Sequence, residues 1–172
     1  DMLQILDKYP KIHQTFNLVP SLIEQIEDYA ENKVKDKYFE LSLKPADQLS
    51  VIEKEFILKN FFSINKDKVI SFFPRYYELY FKKQKGRDFS TQDYLDLQVW
   101  FNLAWIDTSF RQHSPQLTAL VNKGRFYSEE DKQIVLRKQL EILKQIIPGY
   151  KNAMDAGQIE VTISPSYHPI LP

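Results

Sequence analysis

The stretch Gly157–Pro172, GQIEVTISPSYHPILP, decides how the rest of the chain is read. Gln158 to Ile163 alternates polar and apolar side chains with the period of a β-strand. Gln158, Glu160 and Thr162 fall on one face; Ile159, Val161 and Ile163 fall on the other. A proline-rich loop, Ser-Pro-Ser-Tyr-His-Pro, follows at once. Loops outside strand ends are where α/β proteins keep their chemistry. Glu160 on the polar face and His168 in the loop are therefore the polar residues best placed to meet a ligand. A chain that stops there reads as part of a larger fold. The beginning, Asp-Met-Leu-Gln-Ile-Leu, reads the same way, because it is already inside a helical pattern.

Working back from that strand, a second β-rich run lies at Ile12–Val19, IHQTFNLV. Ile12, Gln14, Phe16 and Leu18 share a face, and the run reads as a short buried strand. Between the two strands the sequence is helical. Pro20 opens a helix to about residue 29, where a first-turn proline costs no hydrogen bond. Residues 31–48 are charged and irregular, with Pro45 as a breaker. Capping patterns at Ser50-Val-Ile-Glu53, Ser90-Thr-Gln-Asp93 and Ser128-Glu-Glu-Asp131 start helices at about residues 51, 91 and 129. Pro74 introduces another over 75–83. The last helix, about 129–147, places Val135, Leu136, Leu140 and Leu143 at helical spacing, and Pro148-Gly149 interrupts it. The fold class is α/β: two parallel strands, near 12–19 and 158–163, with a helical insertion over about 20–156. Two strands make no stable sheet by themselves, so other segments must supply the remainder. The domain reading is a single partial domain over 1–172.

Composition narrows the function. Lys+Arg and Asp+Glu are both 23 of 172 residues, a net charge of zero, which disfavours a nucleic-acid or anionic-membrane surface. No apolar run approaches the ~18 residues a membrane span needs. The chain has no cysteine, so disulfides and thiolate metal sites are excluded. His13, His113 and His168 have no metal-ligand spacing, and neither a phosphate loop nor a zinc-protease motif is present. Aromatic residues make up 14%, which points first to a core and second to platforms for flat ligands. The helix DYLDLQVWFNLAWID, Asp93–Asp107, is apolar on nearly all sides and must be buried. Within it Gln98 and Asn102 either satisfy one another and nearby backbone or face a polar cavity with Trp105. The lysine-rich stretches 33–37 and 82–87 read as solvated faces.

HQTFNLVPSLIEQI, DLQVWFNLAWID and GQIEVTISPSYHPILP, in that order along the chain, together resemble glycoside hydrolase family 57, and within it the α-amylase-like and 4-α-glucanotransferase-related members. The resemblance implies a partial (β/α)7-type barrel, with the strands here its second and third. It implies a cytoplasmic, cofactor-free enzyme acting on α-1,4-linked glucans or maltooligosaccharides. It also implies a retaining mechanism, whose two carboxyls stand about 5–5.5 Å apart. Both catalytic carboxylates of the family follow the motif matched by Gly157–Glu160, so none is expected in this chain, which alone should be inactive. His13-Gln14 is followed by Thr15, so the family's His-Gln-Pro role is not transferred to it. The substrate-binding residues the resemblance suggests are Glu160, His168, Trp100, Trp105 and Asn102, with no metal ligand. The rival reading is a non-catalytic helical interaction module.

Overall fold

The computed structural model describes residues 2–165. It is mostly helical, with two parallel strands, and divides into two compact units. One is formed by the chain up to Lys35 and from Gln139 onward; the other is Asp36–Lys138.

The first unit holds α1 (Met2–Leu6), β1 (Gln14–Leu18), α2 (Pro20–Ala30), the later part of α9 (Glu129–Asp155) and β2 (Ile159–Ile163). β1 and β2 pair in parallel, with Thr15 opposite Glu160 and Asn17 opposite Thr162. One sheet face is packed: Ile159 is buried, and the Phe16 ring meets Tyr150 of α9 edge-on at 5.3 Å. The other face, with Thr15 and Asn17, is open, and Gln14 at the strand start is exposed too, so β1 is not the buried strand its composition suggests. Among the described residues it has one strand neighbour and a cover on one side only.

Pro148 also departs from expectation. α9 runs through it without a break. The ring removes one backbone donor, but tertiary packing just beyond it holds the helix. Next to it Gly149 admits Leu3 so closely that a Cβ there would lie 3.0 Å from Leu3 Cδ1. Tyr150 packs on Phe16.

The second unit is built around α6 (Thr91–Trp105). It holds α3 (Lys37–Leu43), α4 (Val51–Asn60), α5 (Pro74–Gln84), α6, α7 (Thr108–His113), α8 (Pro115–Lys123) and the start of α9. Leu97, Val99 and Leu103 are fully buried, and Trp100 is 1% exposed. Around α6 the aromatics interlock: Phe61 stacks on Phe101 at 4.2 Å, Phe73 meets Trp100 at 4.6 Å, and Tyr38 contacts Phe56, Phe61 and Phe101. Part of the aromatic content of this unit therefore serves burial, while Phe72, Phe81, Trp105 and Phe126 stay exposed.

The helix starts follow the capping chemistry. Ser50 accepts from Glu53 N–H while Glu53 accepts from Ser50 N–H, and Ser90 and Asp93 repeat the arrangement. At α9, Ser128 N–H donates to Asp131 and Asp131 N–H to Ser128 Oγ. Removing one such cap costs about 0.5–2 kcal/mol. Ser50→Ala should lower the unfolding free energy in urea by about 1 kcal/mol. A change below about 0.3 kcal/mol would mean that tertiary contacts, not the cap, fix this helix start. α3, α7 and α8 were not anticipated. They start at Asp36, Asp107 and Ser114, each of which accepts a capping bond, but they are short and carry little periodicity.

Candidate functional site

The open face of the strand pair is a polar ladder. Thr15 Oγ1 donates to Glu160 Oε2 at 3.5 Å, and Asn17 Nδ2 to Thr162 Oγ1 at 3.1 Å. Ser164 Oγ donates to Asn17 Oδ1 at 2.7 Å. Parallel register produces this, because residues directly paired across parallel strands project on the same face. The ladder carries one formal charge, on Glu160, among hydroxyls and an amide. Such a surface suits a neutral polyhydroxylated ligand better than an ion, since each group can accept or donate to a hydroxyl.

Two neighbours fix the ends of the strands. His13 Nδ1 bonds the Gly157 carbonyl at 3.0 Å. A carbonyl only accepts, so the proton of this bond is on Nδ1. Gln158 does not join the ladder. Its Nε2 turns back to the carbonyls of Leu6 and Tyr9, at 2.8 and 3.2 Å, and ties β2 to the end of α1. Gly157 takes φ +70, the left-handed region that favours glycine, where the chain leaves α9 for β2.

Of the five residues expected to meet a substrate, Glu160 belongs to the first unit and Trp100, Asn102 and Trp105 to the second. Glu160 is exposed on the ladder. His168 lies outside the described residues. Trp105 is 60% exposed, at the last position of α6. Trp100 is buried, with Nε1 donating to the Gly124 carbonyl at 3.0 Å. Asn102 is buried as well; its Nδ2 donates to Ser42 Oγ and to the Gln98 carbonyl, both at 2.8 Å. Gln98 Nε2 donates to the carbonyls of Leu41 and Lys44, at 2.6 and 3.0 Å, and its Oε1 accepts from Lys132 Nζ at 3.1 Å. The α6 amides are thus satisfied within the protein and face no polar cavity with Trp105.

An ionic cluster that sequence reading missed lies beside them. Arg75 is 7% exposed and reaches Asp93 at 2.7 Å, Asp96 at 2.8 Å and Glu78 at 2.6 Å. Asp96 also accepts from Gln92 Nε2 and the Tyr127 N–H. Lys82, read as part of a solvated face, instead pairs with Asp93 at 2.7 Å. Burial by itself would raise the Asp93 carboxyl, but the Lys82 ammonium, the Ser90 N–H and hydroxyl, and Arg75 outweigh it and hold it at about 2. Lys132 is fully buried and its ammonium is pushed down by burial, against the opposing pull of Glu129 at 2.7 Å. These groups are saturated by protein partners, and no buried side-chain polar atom among the described residues lacks one. They hold the unit together and offer nothing to a substrate.

Among the described residues no group of three His, Asp or Glu side chains is placed to hold a metal, and no helix is long and apolar enough to cross a membrane. The family model for glycosyl hydrolase family 57 matches the chain over residues 1–172. No curated protein and no solved structure matches it.

Proposed function

Because the chain belongs to glycosyl hydrolase family 57, we propose that it is the part of a retaining α-glucan-active enzyme that supplies two barrel strands and the helical insertion between them. The substrate class is α-1,4-linked glucan or maltooligosaccharide, and the reaction is hydrolysis or glucanotransfer. The observation that supports this reading is the ladder Thr15–Glu160 and Asn17–Thr162–Ser164, exposed on one face of a parallel strand pair. Parallel sheets in α/β proteins are covered on both faces. A polar, hydrogen-bonded face on such a pair suits the lining of a ligand-binding interior.

In this reading Glu160 is a substrate-binding residue, not the nucleophile, and accepts from sugar hydroxyls. His168 follows it in the strand-end loop as a second hydroxyl contact. The nucleophile and the acid/base belong to other segments of the enzyme, so the chain alone does not turn over glucans. Trp100 and Asn102 position α6 and do not touch the sugar. Glycosyl transfer between hydroxyls needs the carboxylate pair and positioning, without a cofactor. The chain belongs to a cytoplasmic enzyme.

The test is turnover of maltooligosaccharides by the enzyme carrying this chain, with Glu160→Gln and His168→Ala beside wild type. Wild type converts the substrates, and each substitution lowers kcat/KM by about tenfold or more, or about 1.4 kcal/mol of transition-state stabilisation. Circular dichroism should show both variants folded. Full activity in Glu160→Gln would remove the ladder from the substrate site. Inertness of wild type toward every α-glucan would favour a non-catalytic interaction module.

A further inference from the structure

The second unit carries a cleft of about 670 Å3 near the end of α6, within the ~300–1,000 Å3 range of small-molecule sites. Its walls include two aromatic side chains open to solvent, Trp105 at 60% and Phe72 at 72% exposure. Asn65, Lys68, Asp107 and Arg111 line the same cleft. None of these residues belongs to the strand ladder.

We propose that this cleft is a carbohydrate-binding platform that holds a segment of an α-glucan chain. The proposal rests on the reading of the protein as α-glucan-active. Three features point to a sugar. A pyranose ring presents C–H bonds with partial positive charge on its flat face, and these meet the negative face of an indole or phenyl ring. The polar groups beside the rings carry both signs and include amide, carboxylate, ammonium and guanidinium, so they can serve hydroxyls as donors and as acceptors. An anionic ligand or nucleic acid would meet Asp107 as well as the two cations. The polar edge is also pre-ordered. Asp107 Oδ1 accepts from Ser109 N–H at 2.7 Å as the cap of α7. Arg111 lies over the Phe73 ring at 5.2 Å and donates to Thr108 Oγ1 at 2.9 Å. Groups already fixed lose little entropy when a flexible glucan binds.

The test uses the 172-residue chain in two assays. In the first, native gels are cast with and without amylopectin. Wild type is retarded by the polysaccharide. Trp105→Ala and Phe72→Ala each weaken the retardation about tenfold. Phe126→Ala, which removes an aromatic 64% exposed outside the cleft, leaves it unchanged. In the second, maltoheptaose protects Trp105 of wild type from iodide quenching, against the constant background of buried Trp100. The proposal is overturned if Trp105→Ala is retarded as wild type is, if maltoheptaose leaves quenching unchanged, or if the cleft captures a protein partner and no glucan. Maltooligosaccharide turnover by the enzyme carrying the chain separates the two readings. Turnover without cleft binding overturns the platform alone, whereas cleft binding without turnover upholds the platform and overturns the catalytic reading.

Discussion

Arg75→Ala should lower the unfolding free energy of the second unit by about 3–5 kcal/mol, the range for breaking a buried ion pair from one side. The guanidinium answers two buried carboxylates, Asp93 at 4% and Asp96 at 0% exposure, besides the exposed Glu78. Truncation leaves Asp96 with two neutral donors and no countercharge, in a place water does not reach. Asp93 retains Lys82, so the larger share of the loss falls on Asp96. Arg75→Ala combined with Asp96→Asn should therefore recover part of the stability. Urea titration followed by circular dichroism reads both. A loss below about 1 kcal/mol in the single variant would mean that the cluster behaves as a hydrated surface pair. The same network sets an acid limit. Asp93 is held at about 2 in the folded chain, against about 3.9 when unfolded. In that window the unfolded chain binds more protons, so this contribution is complete above pH ~4 and fades as pH falls toward ~2. Asp93→Asn should flatten that part of the acid-unfolding profile.

The cluster shows where reading the sequence stops. Ser50, Ser90 and Ser128 announced their helices because a cap is local: acceptor and donor lie three residues apart. Asp93 was legible as the partner of Ser90 for that reason. Its second role, facing Arg75 and Lys82, depends on how α5 packs on α6, and no spacing within one helix encodes that. The strand pair was legible in part. Alternation put Glu160 and Thr162 on one face, and the parallel register then placed Thr15 and Asn17 beside them. Gln158 has the same alternation but lies just before the strand begins, and it is drawn instead to the carbonyls at the end of α1. Pro148 looked like a stop because proline removes a helix bond; the packing of Leu3 against Gly149 and of Phe16 against Tyr150, just after it, is a tertiary fact that overrides it.

Trp100→Ala should cost about 3–5 kcal/mol, the range for a large aromatic removed from a packed core, whereas Trp105→Ala should stay within about 0.5 kcal/mol. The two tryptophans stand five positions apart on one helix. At 100° per residue that spacing turns them well away from each other. The Trp100 ring lies between Phe73 at 4.6 Å and Tyr127 at 6.0 Å, and its indole N–H is the donor to Gly124. Alanine there opens a cavity, unpacks two aromatic contacts and strips a carbonyl of its partner where Gly124 closes α8 in the left-handed conformation. Neighbouring side chains are themselves ring-packed and have little freedom to collapse into the space, which puts the loss toward the upper end of the range. Trp105 sits where α6 ends and α7 has not begun, with most of its surface in water. Its removal costs the protein little and the cleft its platform. Urea unfolding and amylopectin retardation, measured on the same two variants, should therefore give opposite orders. Trp100→Ala is the less stable of the pair; Trp105→Ala is the weaker in glucan binding. If both lose stability alike, Trp105 belongs to the core. If Trp100→Ala unfolds at the wild-type urea concentration, α6 does not organise the second unit.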